Sequence, residues 1–259
     1  MKKTILLTND DGFESKGLLA LKEALEPLAN VIVVAPTLEK SACGHSLTLT
    51  RPLRFIELSK NFYKLDDGTP SDCIFLSLTK LFKDKKPDLV VSGINKGANL
   101  GEDITYSGTA SAAMEAVLQG IPALAFSQVY NKGDNIDNLN YTLAKEVAQD
   151  IVTKIFKNSY PLESRKFLNI NIPPNRKKAQ IKVTHAGCRD YGNDAQLHIN
   201  PRGQEYYWIG LPTIDWKPTH NPKHHLSDIE AINEGFISIT PIHLDMTHYE
   251  SINTLEEWI

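Results

Sequence analysis

Short β-branched runs alternate with amphipathic stretches through the first two thirds of the chain, and this alternation constrains the fold more than any other feature. Thr4 to Thr8 is a short apolar run, and Val31-Ile32-Val33-Val34 is continuously β-branched. Asp88-Leu89-Val90-Val91-Ser92 and Pro122-Ala123-Leu124-Ala125-Phe126 have the same character. Uninterrupted runs of this kind suit strands buried on both faces. Between them, Leu18, Leu21, Leu25 and Leu28 recur at helical spacing, and Pro27 falls near the end of the pattern. Thr69-Pro70 reads as an N-cap followed by proline at the first helical position, with Asp72 in the first turn and Ile74, Leu78, Leu81 and Phe82 on one face. The alanine-rich stretch Thr109 to Gln119 stops at Gly120, and Leu143, Val147, Ile151 and Ile155 mark a further helix. Strand, helix and strand joined by short links imply an α/β fold with a doubly wound, mostly parallel sheet.

Other segments break the pattern. From Leu47 to Leu65 polar and apolar residues alternate, which predicts a protruding β-hairpin outside the main sheet. Lys166 to Ile172 reads as a strand, and Gly235 to Pro241 as a return strand. Residues 173–232 are rich in Pro, Asn, His and Gly, with strand-like pieces at Gln180 to Thr184 and Glu205 to Ile209. Their apolar residues are too scattered for a core of their own. The expectation is one domain over 1–259: a core of about 1–172 plus 233–242, a β-excursion of about 173–232, and a tail of about 243–259 that ends in a short helix from Thr254.

Composition excludes several classes. The formal charge is -3, from 28 Lys and Arg against 31 Asp and Glu, which argues against a broad basic surface for a nucleic-acid duplex. Three cysteines without a C-x-x-C pair offer no disulfide framework and no zinc ribbon, so a cytoplasmic protein is expected. No run approaches about 18 apolar residues, so no membrane span is expected. Lys2-Lys3 before an apolar run starts like a signal peptide, but Asn9-Asp10-Asp11 cuts that run short.

Four segments carry chemistry. In Thr8-Asn9-Asp10-Asp11-Gly12, two adjacent carboxylates end a strand, where open parallel sheets bind ligands. Their mutual repulsion suits a divalent cation, although a solvated Asp-Gly turn would use the same residues. In Ser92-Gly93-Ile94-Asn95-Lys96-Gly97-Ala98-Asn99-Leu100-Gly101, small residues let backbone N–H groups approach an anion, Asn95 offers an oxygen and Lys96 a charge. This is neither a Walker A loop nor G-x-G-x-x-G, and a loop shaped only by its turns would also fit. Tyr106-Ser107-Gly108-Thr109 opens the alanine-rich helix, as a phosphate site or as an ordinary N-cap. Finally, Lys40-Ser41-Ala42-Cys43-Gly44-His45-Ser46 offers a Ser41 hydroxyl and a His45 imidazole, with Cys43 as a small filler. His185, His198, His220, His243 and His248 are isolated, and His224-His225 lies in a polar stretch, so no zinc spacing arises. All four segments follow predicted strands or open a helix at one edge of the sheet, an arrangement that suits phosphate-ester chemistry.

Read together in order, these motifs resemble the SurE (survival protein E) family of nucleotidases. The likeness rests on Ile5 to Gly12, on Val34-Ala35-Pro36 through Ser41 and Gly44 to Thr48, and on Gly68-Thr69-Pro70-Ser71-Asp72-Cys73. It continues through Pro87 to Gly101, Tyr106 to Thr109, and Gly235 to Pro241. One departure is Thr37-Leu38, where the family usually carries Asp-Arg. The resemblance implies a phosphomonoesterase that hydrolyses nucleoside 5′- and 3′-monophosphates using one divalent cation per subunit, Mg²⁺ or Mn²⁺. Asp10, Asp11, Ser41 and Asn95 are its implied ligands, and Asp10 and Asp11 its catalytic residues. Asn9, Gly44, His45, Ser46, Asn95, Lys96, Asn99, Ser107, Gly108 and Thr109 are expected around the phosphate. Other small phosphoesters and short polyphosphate stay open as substrates. A Rossmann-like core with a protruding β-hairpin, and a homodimer or homotetramer with exchanged C-terminal segments, are also implied. Two other readings remain at this point: a covalent aspartyl phosphatase, which commonly uses D-x-D spacing, and a nucleotide-sensing module without turnover.

Overall fold

The computed structural model describes residues 2–190, 195–209, 215–217 and 225–259, the segment 215–217 as backbone. The first strand, β1 (Thr4–Thr8), leads into α1 (Lys16–Leu25), which Ser15 caps by accepting the N–H of Leu18. Then come β2 (Asn30–Pro36), β3 (Arg54–Ser59), β4 (Phe62–Asp66) and α2 (Pro70–Lys80). Thr69 caps α2 as the sequence predicts, and Asp72 completes a reciprocal capping box with it. The chain continues through β5 (Leu89–Lys96), a 3-10 turn (Gly101–Thr105), α3 (Gly108–Leu118), β6 (Ala123–Gln128), α4 (Thr142–Asn158) and β7 (Lys166–Ile172).

The strands form a nine-stranded sheet in the order β3-β4-β2-β1-β5-β6-β7, followed by two strands from the last third of the chain, β13 (Ile237–His243) and then β8 (Ile181–Val183). Within this sheet, among the described residues, only the pairs β3·β4 and β7·β13 are antiparallel. The chain runs outward from β1 through β2 in one direction and from β5 through β6 in the other. The boundary between β1 and β5 is therefore the topological switch point, where such sheets open a crevice. Thr8 pairs with Ser92, so the turns after β1 and along the end of β5 leave the sheet side by side.

Alternation along β1 sends Ile5 and Leu7 to one face and Leu6 to the other. The first face packs against Leu18, Leu21 and Leu25 of α1 and Leu143, Val147 and Ile151 of α4. The second meets Ile74 and Leu78 of α2 and Ala112, Ala113 and Ala116 of α3. Among the described residues, no helix is long and apolar enough to cross a membrane.

The hairpin expected outside the sheet from Leu47 to Leu65 is instead its edge. β3 and β4 form an antiparallel pair, and β4 continues the sheet in parallel with β2 at Val33–Phe62 through Pro36–Leu65. Its alternating pattern reflects an edge with one covered face rather than a detached ribbon. The hairpin that does stand apart is β10 (Ala195–Ile199) with β11 (Glu205–Ile209), a separate two-stranded sheet inside the excursion. The excursion also returns to the body, through β8 and through β9 (Cys188–Asp190), which pairs with β12 (Asp215–Lys217). A further helix, α5 (Asp228–Asn233), has no counterpart in the sequence reading. The terminal helix α6 (Ile252–Trp258) begins two residues before the expected Thr254.

Candidate active site

Asn9 shapes the turn that follows β1. Its amide donates to the carbonyl of Gly12 at 2.9 Å and to Ser15 Oγ at 2.7 Å, while its buried Oδ1 has no hydrogen-bond partner. This turn delivers Asp10 and Asp11 to the switch point. Asp10 is only 3% exposed. Thr109 holds both of its oxygens, through Oγ1 to Oδ1 at 2.5 Å and through N–H to Oδ2 at 3.0 Å. The approach is close because residue 108 is glycine: a Cβ there would lie 2.7 Å from Asp10 Cβ and 2.9 Å from Oδ2. Burial, and then the neighbouring charge of Asp11, pushes the Asp10 pKa up to about 7 even though Thr109 opposes the shift. Burial also raises Asp11, against an N–H from Lys96 and that residue's charge.

The other motifs converge on the same edge. Lys96 N–H donates to Asp11 Oδ2 at 2.9 Å, which ties the end of β5 to the turn after β1. The Asn95 amide nitrogen donates to Gly97 O at 3.0 Å, so its carbonyl oxygen is not spent in that bond. Lys40 N–H donates to Asp10 O at 2.7 Å, bringing the loop after β2 alongside, and Ser41 Oγ donates to Glu39 at 2.8 Å. Gly44 N–H reaches Tyr106 O at 3.0 Å, which binds this loop to the start of α3. Within the loop, Ser46 Oγ donates to Cys43 O at 3.1 Å. Thr37, at the position of the family departure, donates both N–H and Oγ1 to Leu65 O and so joins the loop to the edge hairpin.

His45 Nε2 lies 3.0 Å from Oε2 of Glu115, a buried residue of α3. Burial alone would raise Glu115, but hydrogen bonds from His45 and Gln119 hold it below the ordinary carboxylate range. Burial pushes the Cys43 thiol up to about 11, in keeping with a filler and not a nucleophile.

The predicted phosphate group divides in two. Lys96, Ser107, Gly108, Gly44, His45 and Ser46 lie on segments joined by the bonds above or at the α3 N-terminus, where Ser107 Oγ caps Ala110 N–H at 2.9 Å. Thr109 instead directs its donors to Asp10. Asn99 is turned inward: its N–H meets Asn171 Oδ1 at 2.9 Å, its amide meets Ser127 Oγ at 2.8 Å, and its carbonyl accepts from Asn169 and Asn171. His220 and His224 lie outside the described residues.

The donor set suits a hard cation. Asp10 and Asp11 are adjacent carboxylates that lose stability when both are charged, and the segments carrying Ser41 and Asn95 are tied to them through Lys40 and Lys96; all four side chains offer oxygen, the donor that Mg²⁺ or Mn²⁺ prefers. Among the described residues, no three His, Cys, Asp or Glu side chains gather into a metal-binding group.

One residue that matters to this edge escaped the sequence reading. Asp228, fully buried at the start of α5, accepts Gly101 N–H at 2.8 Å, Gly187 N–H at 2.8 Å and Ile229 N–H at 3.0 Å. It clamps the far end of the loop that leaves β5. The signal was available: Ser227-Asp228-Ile229-Glu230 is a capping box, which the structure forms in full.

The family described as "Survival protein SurE" matches residues 5–193. The chain is 64% identical over 262 residues to the 5′-nucleotidase SurE of Sulfurovum sp. (strain NBC37-1), covering 100% of this chain and 98% of that protein. It is 56% identical over 261 residues to the 5′-nucleotidase SurE of Helicobacter hepaticus (strain ATCC 51449 / 3B1), covering 99% of each. Among solved structures, the SurE protein from Aquifex aeolicus matches with a TM-score of 0.79 and 41% identity, over 98% of this chain and 99% of that one.

Proposed function

The chain belongs to the SurE family and is a 5′-nucleotidase, and from that premise we propose that it releases phosphate from both nucleoside 5′- and 3′-monophosphates with one divalent cation, Mg²⁺ or Mn²⁺, per subunit. The observation that carries this reading is the pairing of a buried Asp10 with Asp11 at the switch point, both with raised pKa values, beside the N-terminus of α3. Such a pair is costly as two bare anions and favourable around a cation. Asp10, Asp11, Ser41 and Asn95 hold the cation. When bound, it neutralises charge on the phosphoryl oxygens and acidifies a water.

The chain's own groups do the rest. Lys96, Ser107 and Gly108 orient the phosphate through ammonium, hydroxyl and backbone N–H donors, while Gly44 and Ser46, whose donors go to Tyr106 O and Cys43 O, act through the loop they shape. Thr109 acts through Asp10, whose carboxylate it fixes. Asn9 and Asn99 act through the turns they shape. Glu115 holds the His45 ring through Nε2, and His45 assists the leaving group. A covalent aspartyl mechanism fits poorly, because Asn9-Asp10-Asp11 lacks the D-x-D spacing such enzymes commonly use.

The tail of about 243–259 joins copies of the chain into a homodimer or homotetramer. The motive is its exposed apolar face, with Met246, Tyr249, Leu255 and Trp258 all uncovered in the single chain. The protein works in the cytoplasm. Phosphate release from 5′-AMP, 3′-AMP and short polyphosphate, each with Mg²⁺, Mn²⁺ or chelator, tests the assignment. Metal-dependent release from both monophosphates is expected. Release that persists in chelator, or tight binding without release in Mn²⁺, would overturn it.

A further inference from the structure

We propose that the nucleoside half of the substrate lies in the cleft beside Asp11, against a wall built by the loop between β6 and α4; this rests on the phosphomonoesterase reading above. The cleft has a volume of about 390 Å³. Its lining combines Asp11, Ser15 and Lys96 and the charged Glu14, Lys16 and Asp137 with the apolar Ile136 and Leu139 and the ring of Tyr141. Asp11 and Lys96 belong both to the phosphate edge and to this cleft, and the 2.9 Å bond from Lys96 N–H to Asp11 Oδ2 is the seam between them. The volume lies within the range of small-molecule sites, roughly 300–1,000 Å³. An inorganic phosphate needs only a few convergent donors, and an apolar wall contributes nothing to it. A sugar and a heteroaromatic base need such a wall.

The wall is also built to keep its shape. Tyr141 packs on the main hydrophobic core at the start of α4. Lys16 Nζ of α1 donates to Asp137 O at 2.7 Å and pins the loop to the body. Asn135 Oδ1 accepts Asp137 N–H at 3.1 Å and fixes the turn Ile136–Asn138. Ile136, on that turn, remains 41% exposed at the rim, an apolar side chain beside a catalytic carboxylate. The rival surface is Tyr106, at the other side of the phosphate edge. It stands 57% exposed on the turn before α3, and it does not line this cleft.

The test compares kcat/KM for 5′-AMP with that for glycerol 2-phosphate, which carries the phosphate but no ring. Both are measured at saturating Mn²⁺ in wild type, Ile136→Ala, the double variant Ile136→Ala/Leu139→Ala, and Tyr106→Ala. The ratio of the two values is expected to fall about 10-fold in the double variant, mostly through KM, and by a smaller factor in Ile136→Ala, the size that lost apolar contacts give. In Tyr106→Ala the ratio stays at its wild-type value. The rim position of Ile136 keeps the single variant informative should the double variant fold poorly. An unchanged ratio in folded Ile136→Ala, or a ratio that falls in Tyr106→Ala instead, overturns the cleft assignment while leaving phosphatase activity intact. Wild-type protein that releases phosphate from neither compound overturns the underlying reading, and the cleft assignment with it.

Discussion

Asp11 accepts the N–H of Lys96 and Asp228 accepts the N–H of Gly101, so the loop that leaves β5 is held near each end by a carboxylate. Their surroundings differ. Asp228 receives three backbone N–H groups, from Gly101, Gly187 and Ile229; burial raises its pKa, and these donors and His185 oppose the rise. Asp11 has the Lys96 N–H and charge, with Asp10 adjacent in sequence and Glu39 adding like charge. The protein supplies the partners of Asp228 and leaves the Asp10–Asp11 pair under-compensated. A carboxylate of the first kind is a clamp. A pair of the second kind costs stability, and under the proposed function a bound cation would offset that cost.

Removing Asp11 tests the contrast most severely. Asp11→Asn is expected to lower kcat/KM for 5′-AMP by on the order of 10³-fold at saturating Mn²⁺, without loss of thermal stability in metal-free protein, because a like-charge contact disappears with the ligand. Near-normal turnover would show that the pair is not the metal centre. Asp228→Ala should do the reverse kind of damage. Stranding buried N–H groups costs roughly 3 kcal/mol, a fall in Tm of about 6–12 °C, and excess Mn²⁺ should not restore it. Recovery of Tm with metal would place Asp228 in the electrostatics of the site.

The pH dependence of metal-free protein sharpens the same point. The folded-state pKa of Asp10 is raised, from the ordinary 3.8 to about 7. Its contribution to stability is therefore whole below 3.8 and is lost as pH rises through about 7. Between pH 5 and 8 the Tm of Asp10→Asn should fall less than that of wild type, and adding Mn²⁺ to wild type should flatten its decline. Equal declines in both proteins would remove Asp10 as the source. The smallest effect is expected from Ser227→Ala, which loses the α5 cap for about 1 kcal/mol and leaves kcat/KM within about twofold. A larger loss of activity would mean that the α5 cap also sets the catalytic loop.

Much of this was legible in residue order. The run Thr4 to Thr8 followed by Asn9-Asp10-Asp11-Gly12 announces a strand ending in paired carboxylates, because strand propensity and turn chemistry act over a few residues. The N-cap at Thr69 and the helical face Leu143, Val147, Ile151 and Ile155 were legible for the same reason. The placement of the Leu47–Leu65 hairpin was not. Its alternation specifies one covered face but not the neighbour, and pairing with β2 is a long-range choice. Asn99 and Thr109 were also ambiguous. Both sit in glycine-rich, polar segments suited to phosphate, yet Asn99 is spent on Asn169, Asn171 and Ser127, and Thr109 on Asp10.

By itself, the sequence determined the α/β class, the positions of the strand ends and the residue types gathered there, since these follow from local periodicity and from the ordered motifs of the SurE family. Only the tertiary structure decided which of those residues face one another. The switch point between β1 and β5 brings Asp11 to Lys96, the start of α3 brings Thr109 to Asp10, and a helix more than a hundred residues downstream brings Asp228 to Gly101. The physical reason is that a hydrogen bond of about 2.9 Å depends on where two distant backbones pack, and packing is a property of the assembled core that no short window of sequence contains.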